Sequence, residues 1–332
     1  MLKRNWLLGL IISLILPASW LQATQINKVT TSDGMKVRVA YKKATSGKAD
    51  ATLVLLQGRA SFIEKHNELI GDLTQMGYDV WTFDWRGQGG SDRLLDHPQK
   101  NHIENFDHYL QDMHEIMQQV VKPKTNKPIV LLGQSLGGHL ALRYAYAYPE
   151  DVQGVILAAP MMDVVTKPFP KPLARWIVGS LTALGYGDAY APGYGDFVPG
   201  RSKFENNTTT NDYARWHRQQ ALCEKNMHLT CGGPTNAWVH AAMQSMDFLN
   251  RPEVLSAIKV PVLWVTAGQD RVVDTHQDAE LCRLMQNCRQ VTFDSSRHNI
   301  LMEVDEVRGA FLKEIKNFKD HVTPAQSIQA QQ

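Results

Sequence analysis

The sequence predicts an α/β fold: a mostly parallel β-sheet flanked by helices on both faces, with a helical cap inserted late in the chain. Three observations carry this. Short apolar, β-branched runs recur, each followed by a segment with apolar residues at helical spacing, and that alternation builds a parallel sheet covered on both sides. The alternation lapses over residues 161–250 and then resumes. At one junction, "IVLLGQSLGGHLALRYAYAYP", a serine stands between glycines at the sharpest point of a strand-to-helix turn.

The elements follow in order. Residues 1–23 have Lys3 and Arg4, an apolar run over 6–16, and small residues at Ala18, Ser19 and Ala23. This is the layout of a secretory signal peptide, and the run is shorter than the roughly 20 residues of a membrane span. Cleavage after Ala23 is expected, and an uncleaved anchor is the alternative. Either way the body of the protein is expected to be exported, periplasmic or secreted, with membrane association through this segment if it is retained.

The first part of the core, 24–160, opens with a hairpin over 28–43 around Asp33-Gly34. Strand 51–58, helix 64–77 closed by Gly77, strand 78–85 and helix 105–121 follow. The quoted junction supplies the next strand and helix, and 152–160 a further strand. The insertion, 161–250, has helical pieces, Trp176, Trp216 and Trp238, and turn clusters. It is expected over the C-terminal ends of the strands, where open α/β sheets bind ligands. The second part, 251–321, reads as strand 259–270, a helix around 275–286, strand 289–294 and a final amphipathic helix. The tail, 322–332, lacks aromatic residues and is expected to be disordered.

The 332 residues carry a net charge of +2 and are 43% hydrophobic. That suffices for a large core and gives no electrostatic footprint for nucleic acid. Four cysteines, Cys223, Cys231, Cys282 and Cys288, allow three connectivities; the close pairs Cys223–Cys231 and Cys282–Cys288 are expected. No cluster has metal-ligand spacing, so neither a metal nor an organic cofactor is expected.

G-x-S-x-G alone occurs by chance in about one chain of this length in ten. Between a buried strand and a helix it becomes a nucleophile elbow, which lifts a serine oxygen above the sheet, so Ser135 is the candidate nucleophile. A serine hydroxyl needs a base, and the base an orienting acid. Asp270 follows strand 259–270 and His298 follows strand 289–294, both on strand-end loops. Asp274 is read instead as the N-cap of the next helix. Two backbone N–H groups are expected to hold the oxyanion: that of Leu136, after the nucleophile, and that of Arg59, after strand 51–58. The Gly-rich "DWRGQGGSDR" lacks the G-K-[ST] ending of a phosphate-binding loop and is read as structural, tied by Asp84 and Arg86. In "KPFPKPLARWIVGSLTALG", Lys167, Lys171 and Arg175 stand without an acid, and Trp176 and Ile177 are candidate acyl-chain contacts on a face that could rest on a membrane.

The motifs "GRASFIEK", "FDWRGQGGSDR", "GQSLGG", "CGGPTNAWV", "QDRVVD" and "RHNILMEVDEVR" resemble the α/β-hydrolase superfamily, in its monoacylglycerol lipase and lysophospholipase branch. The resemblance covers nearly all of 28–320. It is closest to bacterial PldB-type lysophospholipases. It implies Ser135, Asp270 and His298 as a triad and Arg59 and Leu136 as oxyanion donors. One departure is Gln57-Gly58, where monoacylglycerol lipases usually carry His-Gly before the oxyanion residue. The expected function is hydrolysis of the ester of a single-chain lipid, most of all a lysophospholipid, with monoacylglycerol or general ester hydrolysis as the alternative. An amino- or iminopeptidase would share the triad but would need a carboxylate for the substrate's amine, with Asp188, Asp196 and Glu205 as candidates. A catalytically silent binding protein is the reading from another class.

Overall fold

The computed structural model describes residues 24–45 and 47–323, so the expected signal segment and most of the expected tail lie outside the described residues. Strands β1 (Gln25–Thr30), β2 (Lys36–Lys42), β3 (Ala51–Leu56), β4 (Tyr78–Phe83), β5 (Ile129–Gln134), β6 (Gly154–Ala158), β7 (Val262–Ala267) and β8 (Cys288–Phe293) form one sheet in the order β1-β2-β4-β3-β5-β6-β7-β8. β2 runs antiparallel to β1 and β4, and every other pairing is parallel.

The central strands read as unbroken apolar runs because both faces are buried. Alternate side chains go to opposite cores. Val54, Leu56, Leu131 and Val155 face one core with helices α2 (Asp107–Ile116) and α3 (Leu136–Ala147). Leu53, Leu55, Val130 and Ile156 face the other with α1 (Asn67–Gln75) and α9 (Asp305–Val322). On α9, Val307, Phe311, Ile315 and Phe318 repeat at helical spacing and lie in that core. Helix α2 is shorter than the sequence predicts and passes into a wider-wound turn, Met117–Val121.

Between β6 and β7 the chain carries α4 (Lys171–Leu181), α5 (Tyr213–Lys225), α6 (Asn236–Leu249) and α7 (Pro252–Ala257). Asp212 caps α5 through the N–H of Arg215 at 2.8 Å, and Thr235 caps α6 through that of Trp238 at 3.2 Å. No helix of the described residues is long and apolar enough to cross a membrane.

Three expectations need correction. Cys282 and Cys288 form a disulfide, but Cys223 and Cys231 are both buried free thiols. Cys223 is held within the last turn of α5, whereas Cys231 belongs to the extended stretch beyond it, and closeness in sequence did not align the two sulfurs. Asp274 caps nothing: α8 starts at Asp278 (Asp278–Leu284), and Asp274 accepts from His276 N at 3.3 Å and Lys171 Nζ at 2.7 Å. The cations of α4 are not free of acids either, since Lys171 binds Asp163 and Asp274 and Arg175 binds Asp247.

The single disulfide closes a short loop, so its entropic effect is modest. Cys282→Ser with Cys288→Ser is expected to lower the unfolding free energy by about 2–3 kcal/mol. Urea unfolding with and without reductant checks this: wild-type protein should lose the same increment under reductant, and the variant should lose none.

Candidate active site

Ser135 sits between β5 and α3 with φ 54° and ψ −114°, a backbone conformation that L-residues rarely adopt. The surroundings hold it there. Its N–H donates to Ala158 O at 3.1 Å, and its carbonyl accepts from His139 N and Met161 N. The flanking glycines are required by close approach. A Cβ on Gly137 would lie 2.0 Å from Leu56 O, and one on Gly133 would lie 2.3 Å from Gly137 O. Helix α3 therefore starts directly against the end of β3, and the loop after β3 borders the serine: a Cβ on Gly58 would be 3.5 Å from Ser135 Cβ.

The other two candidates meet as the sequence predicts in position. Asp270 Oδ2 is 2.6 Å from His298 Nδ1, with the aspartate side chain fully buried. Asp270 Oδ1 accepts from the N–H groups of Val272 and Val273 at 2.8 and 2.9 Å, so one oxygen is fixed by backbone and the other faces the imidazole. The two loops are in intimate contact: Gly268 leaves no room for a Cβ, which would be 2.6 Å from Asp294 Cα, and Gln269 N donates to Ser296 O at 2.8 Å. An imidazole held through Nδ1 has Nε2 left for proton transfer. Near this pair, Asp278 accepts from Thr266 Oγ1 at 2.8 Å, and burial pushes its carboxyl up to about 6.

For the oxyanion, Leu136 opens α3, and the first N–H groups of a helix have no acceptor within it. Arg59 lies on the loop after β3. That loop is fixed by Gln88 Oε1, which accepts from Ala60 N at 2.5 Å, and by Gln57, whose Nε2 donates to Phe83 O at 2.9 Å. Gln57 is thus a tie between the ends of β3 and β4. The loop "DWRGQGGSDR" is folded round Asp84, which accepts from Arg38 Nε and Gly90 N at 2.7 Å and from Ile63 N at 2.9 Å. Arg86 binds Asp112 and, at 2.8 Å, Asp33.

Ser135 and His298 both line a cavity of about 890 Å³ between sheet and cap. Its walls on the cap side are apolar, with Ile177 and Val178 from α4 and Met243 and Met246 from α6. Its lining has no Asp or Glu among the described residues. Of the two residues expected to touch substrate, Ile177 lines the cavity. Trp176 does not: it is 68% exposed on the outer side of α4. Successive residues turn by about 100° along α4, and the turn carries Ile177 and Val178 inward and Trp176 outward.

Glu303 has no counterpart in the sequence reading. Wholly buried, it accepts from Arg297 N at 2.8 Å and from Asn211 N at 3.1 and 3.0 Å. Asn299 N donates to Thr209 O at 2.7 Å, and Arg297 Nη1 donates to Asn207 O at 3.0 Å. The histidine loop is therefore bound on both sides of His298 to cap residues 207–211. No local pattern marks such a carboxylate, because the partner that ties it to the cap, Asn211, lies far away in sequence.

Comparison with known proteins bears on this arrangement. The profile of the family described as serine aminopeptidase, S33 (Hydrolase_4) matches residues 47–305. The chain is 31% identical over 267 residues to a probable lysophospholipase L2 of Haemophilus influenzae, across 80% of this chain and 82% of that protein. It is 30% identical over 282 residues to lysophospholipase L2 of Escherichia coli K12, across 81% and 80%. Among solved structures, a soluble variant of monoglyceride lipase from Saccharomyces cerevisiae superposes with a TM-score of 0.74 at 18% identity, covering 92% of this chain and 97% of that one, a likeness of fold. The chain belongs to the serine aminopeptidase S33 (Hydrolase_4) family of α/β-hydrolases.

Proposed function

We propose that this chain is an exported serine hydrolase that cleaves the carboxylic ester of a lysophospholipid. Ser135 Oγ attacks the ester carbonyl while His298 takes its proton, and Asp270 orients the imidazole and stabilises its charged form. The N–H groups of Arg59 and Leu136 hold the oxyanion. His298 then protonates the departing glycerol oxygen and activates water against the acyl-enzyme.

The observation that carries the reading is the cavity: one chamber with apolar cap-side walls, of a volume suited to a single small-molecule ligand, lined by both the serine and the buttressed histidine. The aminopeptidase reading lacks support there. An α-amine needs a carboxylate, and neither Asp188, Asp196 nor Glu205 lines the chamber; Asp196 instead accepts from Tyr190. The similarity to lysophospholipases L2 favours a phospholipid over a neutral glyceride. The N-terminal segment and the Cys282–Cys288 disulfide fit an address outside the cytoplasm.

A side-by-side panel of acyl-matched lysophospholipids, monoacylglycerols and aminoacyl amides tests this. Lysophospholipids are expected to turn over fastest, and faster cleavage of the amides would reject the reading. The same assay addresses membrane contact. Leu173, Trp176 and Leu184 are exposed around α4, an apolar face suited to a lipid surface. Trp176→Ala is expected to weaken vesicle binding and micellar lysophospholipid turnover severalfold, while a short soluble p-nitrophenyl ester is cleaved as before. Equal loss on both substrates would leave the face a structural one.

A further inference from the structure

The chamber has two unlike parts. Besides the aliphatic wall, the loop after β3 and the turn before α1 contribute Arg59, Ser61, Lys65 and His66 to its lining. Burial pushes the His66 imidazole down to about 4, so it is neutral, and its Nε2 is hydrogen-bonded to Ser61 Oγ at 2.9 Å. The positive charge in this part therefore belongs to Arg59 and Lys65.

Several half-buried and buried arginines elsewhere hold carboxylates, Arg38 with Asp84, Arg86 with Asp112, Arg215 with Glu68 and Arg308 with Asp72, whereas the side chain of Arg297, outside the chamber, donates only to carbonyls. Arg59 and Lys65 hold no carboxylate among the described residues. Arg59 Nη1 donates to Gly232 O at 2.9 Å, and its guanidinium lies 5.9 Å from the centre of the Trp238 ring. Lys65 Nζ donates to Ala60 O at 3.2 Å and lies 4.8 Å from the Phe62 ring centre. Neutral carbonyls and aromatic faces orient both cations without neutralising them, and most of their N–H donors are left over. With no acid in the lining, these two cations favour an anion beside them; Lys167, before α4, is the third cation of the lining.

We propose that Arg59 and Lys65 form a phosphate-binding pole that reads the head group of the substrate, with Ser61 as a neutral donor beside them. This rests on the ester-hydrolase reading above and adds to it the residues that separate a phosphorylated glycerol from a free one. The pole is on the loop that borders Ser135, and in a lysophospholipid the phosphate is one glycerol away from the scissile ester. With the carbonyl at the serine and the acyl chain against the aliphatic residues of α4 and α6, the charged loop that borders the serine is the part of the lining left for the phosphate. A guanidinium offers paired N–H groups to phosphate oxygens, and an ammonium adds a point charge. Without a carboxylate in the lining, an ethanolamine or choline ammonium finds no matching charge, so selectivity is set by the phosphate.

Because Arg59 also supplies a backbone donor, the test uses Lys65. Wild type, Lys65→Gln and Lys65→Arg are compared on acyl-matched lysophosphatidylglycerol and monoacylglycerol in mixed micelles of a neutral detergent. Lys65→Gln is expected to lower the kcat/KM ratio of the first to the second about tenfold, the scale of one charged hydrogen bond, mainly through KM, and Lys65→Arg to recover most of it. In a second arm, glycerol 3-phosphate is expected to inhibit hydrolysis of p-nitrophenyl butyrate competitively, with a Ki that rises by a similar factor in Lys65→Gln. An unchanged substrate ratio in a variant that folds overturns the pole while leaving lysophospholipid hydrolysis intact. Weakened glycerol 3-phosphate inhibition with an unchanged ratio would mark a site for free phosphate and also overturn the head-group assignment. Wild type that cleaves p-nitrophenyl butyrate but no lysophospholipid overturns both readings.

Discussion

Ser135→Ala is expected to abolish labelling by a fluorophosphonate and to lower ester turnover by about 10⁶-fold, the scale on which loss of the nucleophile acts in a serine hydrolase. The side chain is nearly buried at the top of the turn, against the loop after β3. What remains is the expected oxyanion hole and binding, which alone leave about 10³–10⁴-fold catalysis over water. The fold should be unaffected, because alanine needs the same backbone conformation and the bonds that enforce it, to Ala158, His139 and Met161, are all main-chain. Circular dichroism and thermal unfolding check the second point, and active-site labelling followed by mass spectrometry the first. A variant that still labels would remove Ser135 from the mechanism.

The next largest effect is expected at Asp270. Asp270→Asn should lower turnover by about 10⁴-fold, since an amide in contact with Nδ1 favours the wrong imidazole tautomer. The asparagine can still accept from Val272 and Val273 through its oxygen, which then leaves its NH₂ toward His298 and makes the tautomer problem worse. Asp274→Asn is the control. Lys171 and His276 hold its carboxyl well below the usual carboxylate range, so the contribution of that ion cluster is present at neutral pH and is lost as pH falls through the acid range. The cluster is on the surface, so the change should cost about 0.2–1 kcal/mol of stability and leave kcat within about twofold. Steady-state kinetics on a soluble ester would expose an exchanged assignment at once, as the ranking of the two variants would invert.

Much of the site was legible because the signals are local. The β5–α3 turn is written into nine consecutive residues, and Asp270 and His298 could be picked because each directly follows an apolar strand run. The failures occurred where a partner distant in sequence decides. Glu303 and Asn211 stand 92 residues apart, and neither has a neighbour that advertises the bond. Asp274 has the composition of an N-cap, yet its carboxyl is claimed by Lys171, 103 residues away, and the helix starts one turn later. An apolar stretch such as Trp176-Ile177-Val178 does not tell which of its residues turn inward; the packing of α4 against α6 decides it. The cysteine spacings were equally suggestive for both pairs, and only the three-dimensional course of the chain distinguishes them. The charge reading of α4 failed for the same reason as Asp274: absence of acids in a window says nothing about acids folded onto it.

The tie between the histidine loop and cap residues 207–211 makes the cap something other than a removable module. Glu303 and Asn299 bind the backbone of that segment from the hydrolase side, and Arg297 does so through its side chain. A chimera whose grafted cap lacks the Asn211 donors would leave the buried Glu303 with fewer hydrogen bonds and would loosen the loop that carries His298. Interchange of caps within this architecture therefore has to carry residues 295–303 along with the graft, so cap and histidine loop form one exchangeable unit.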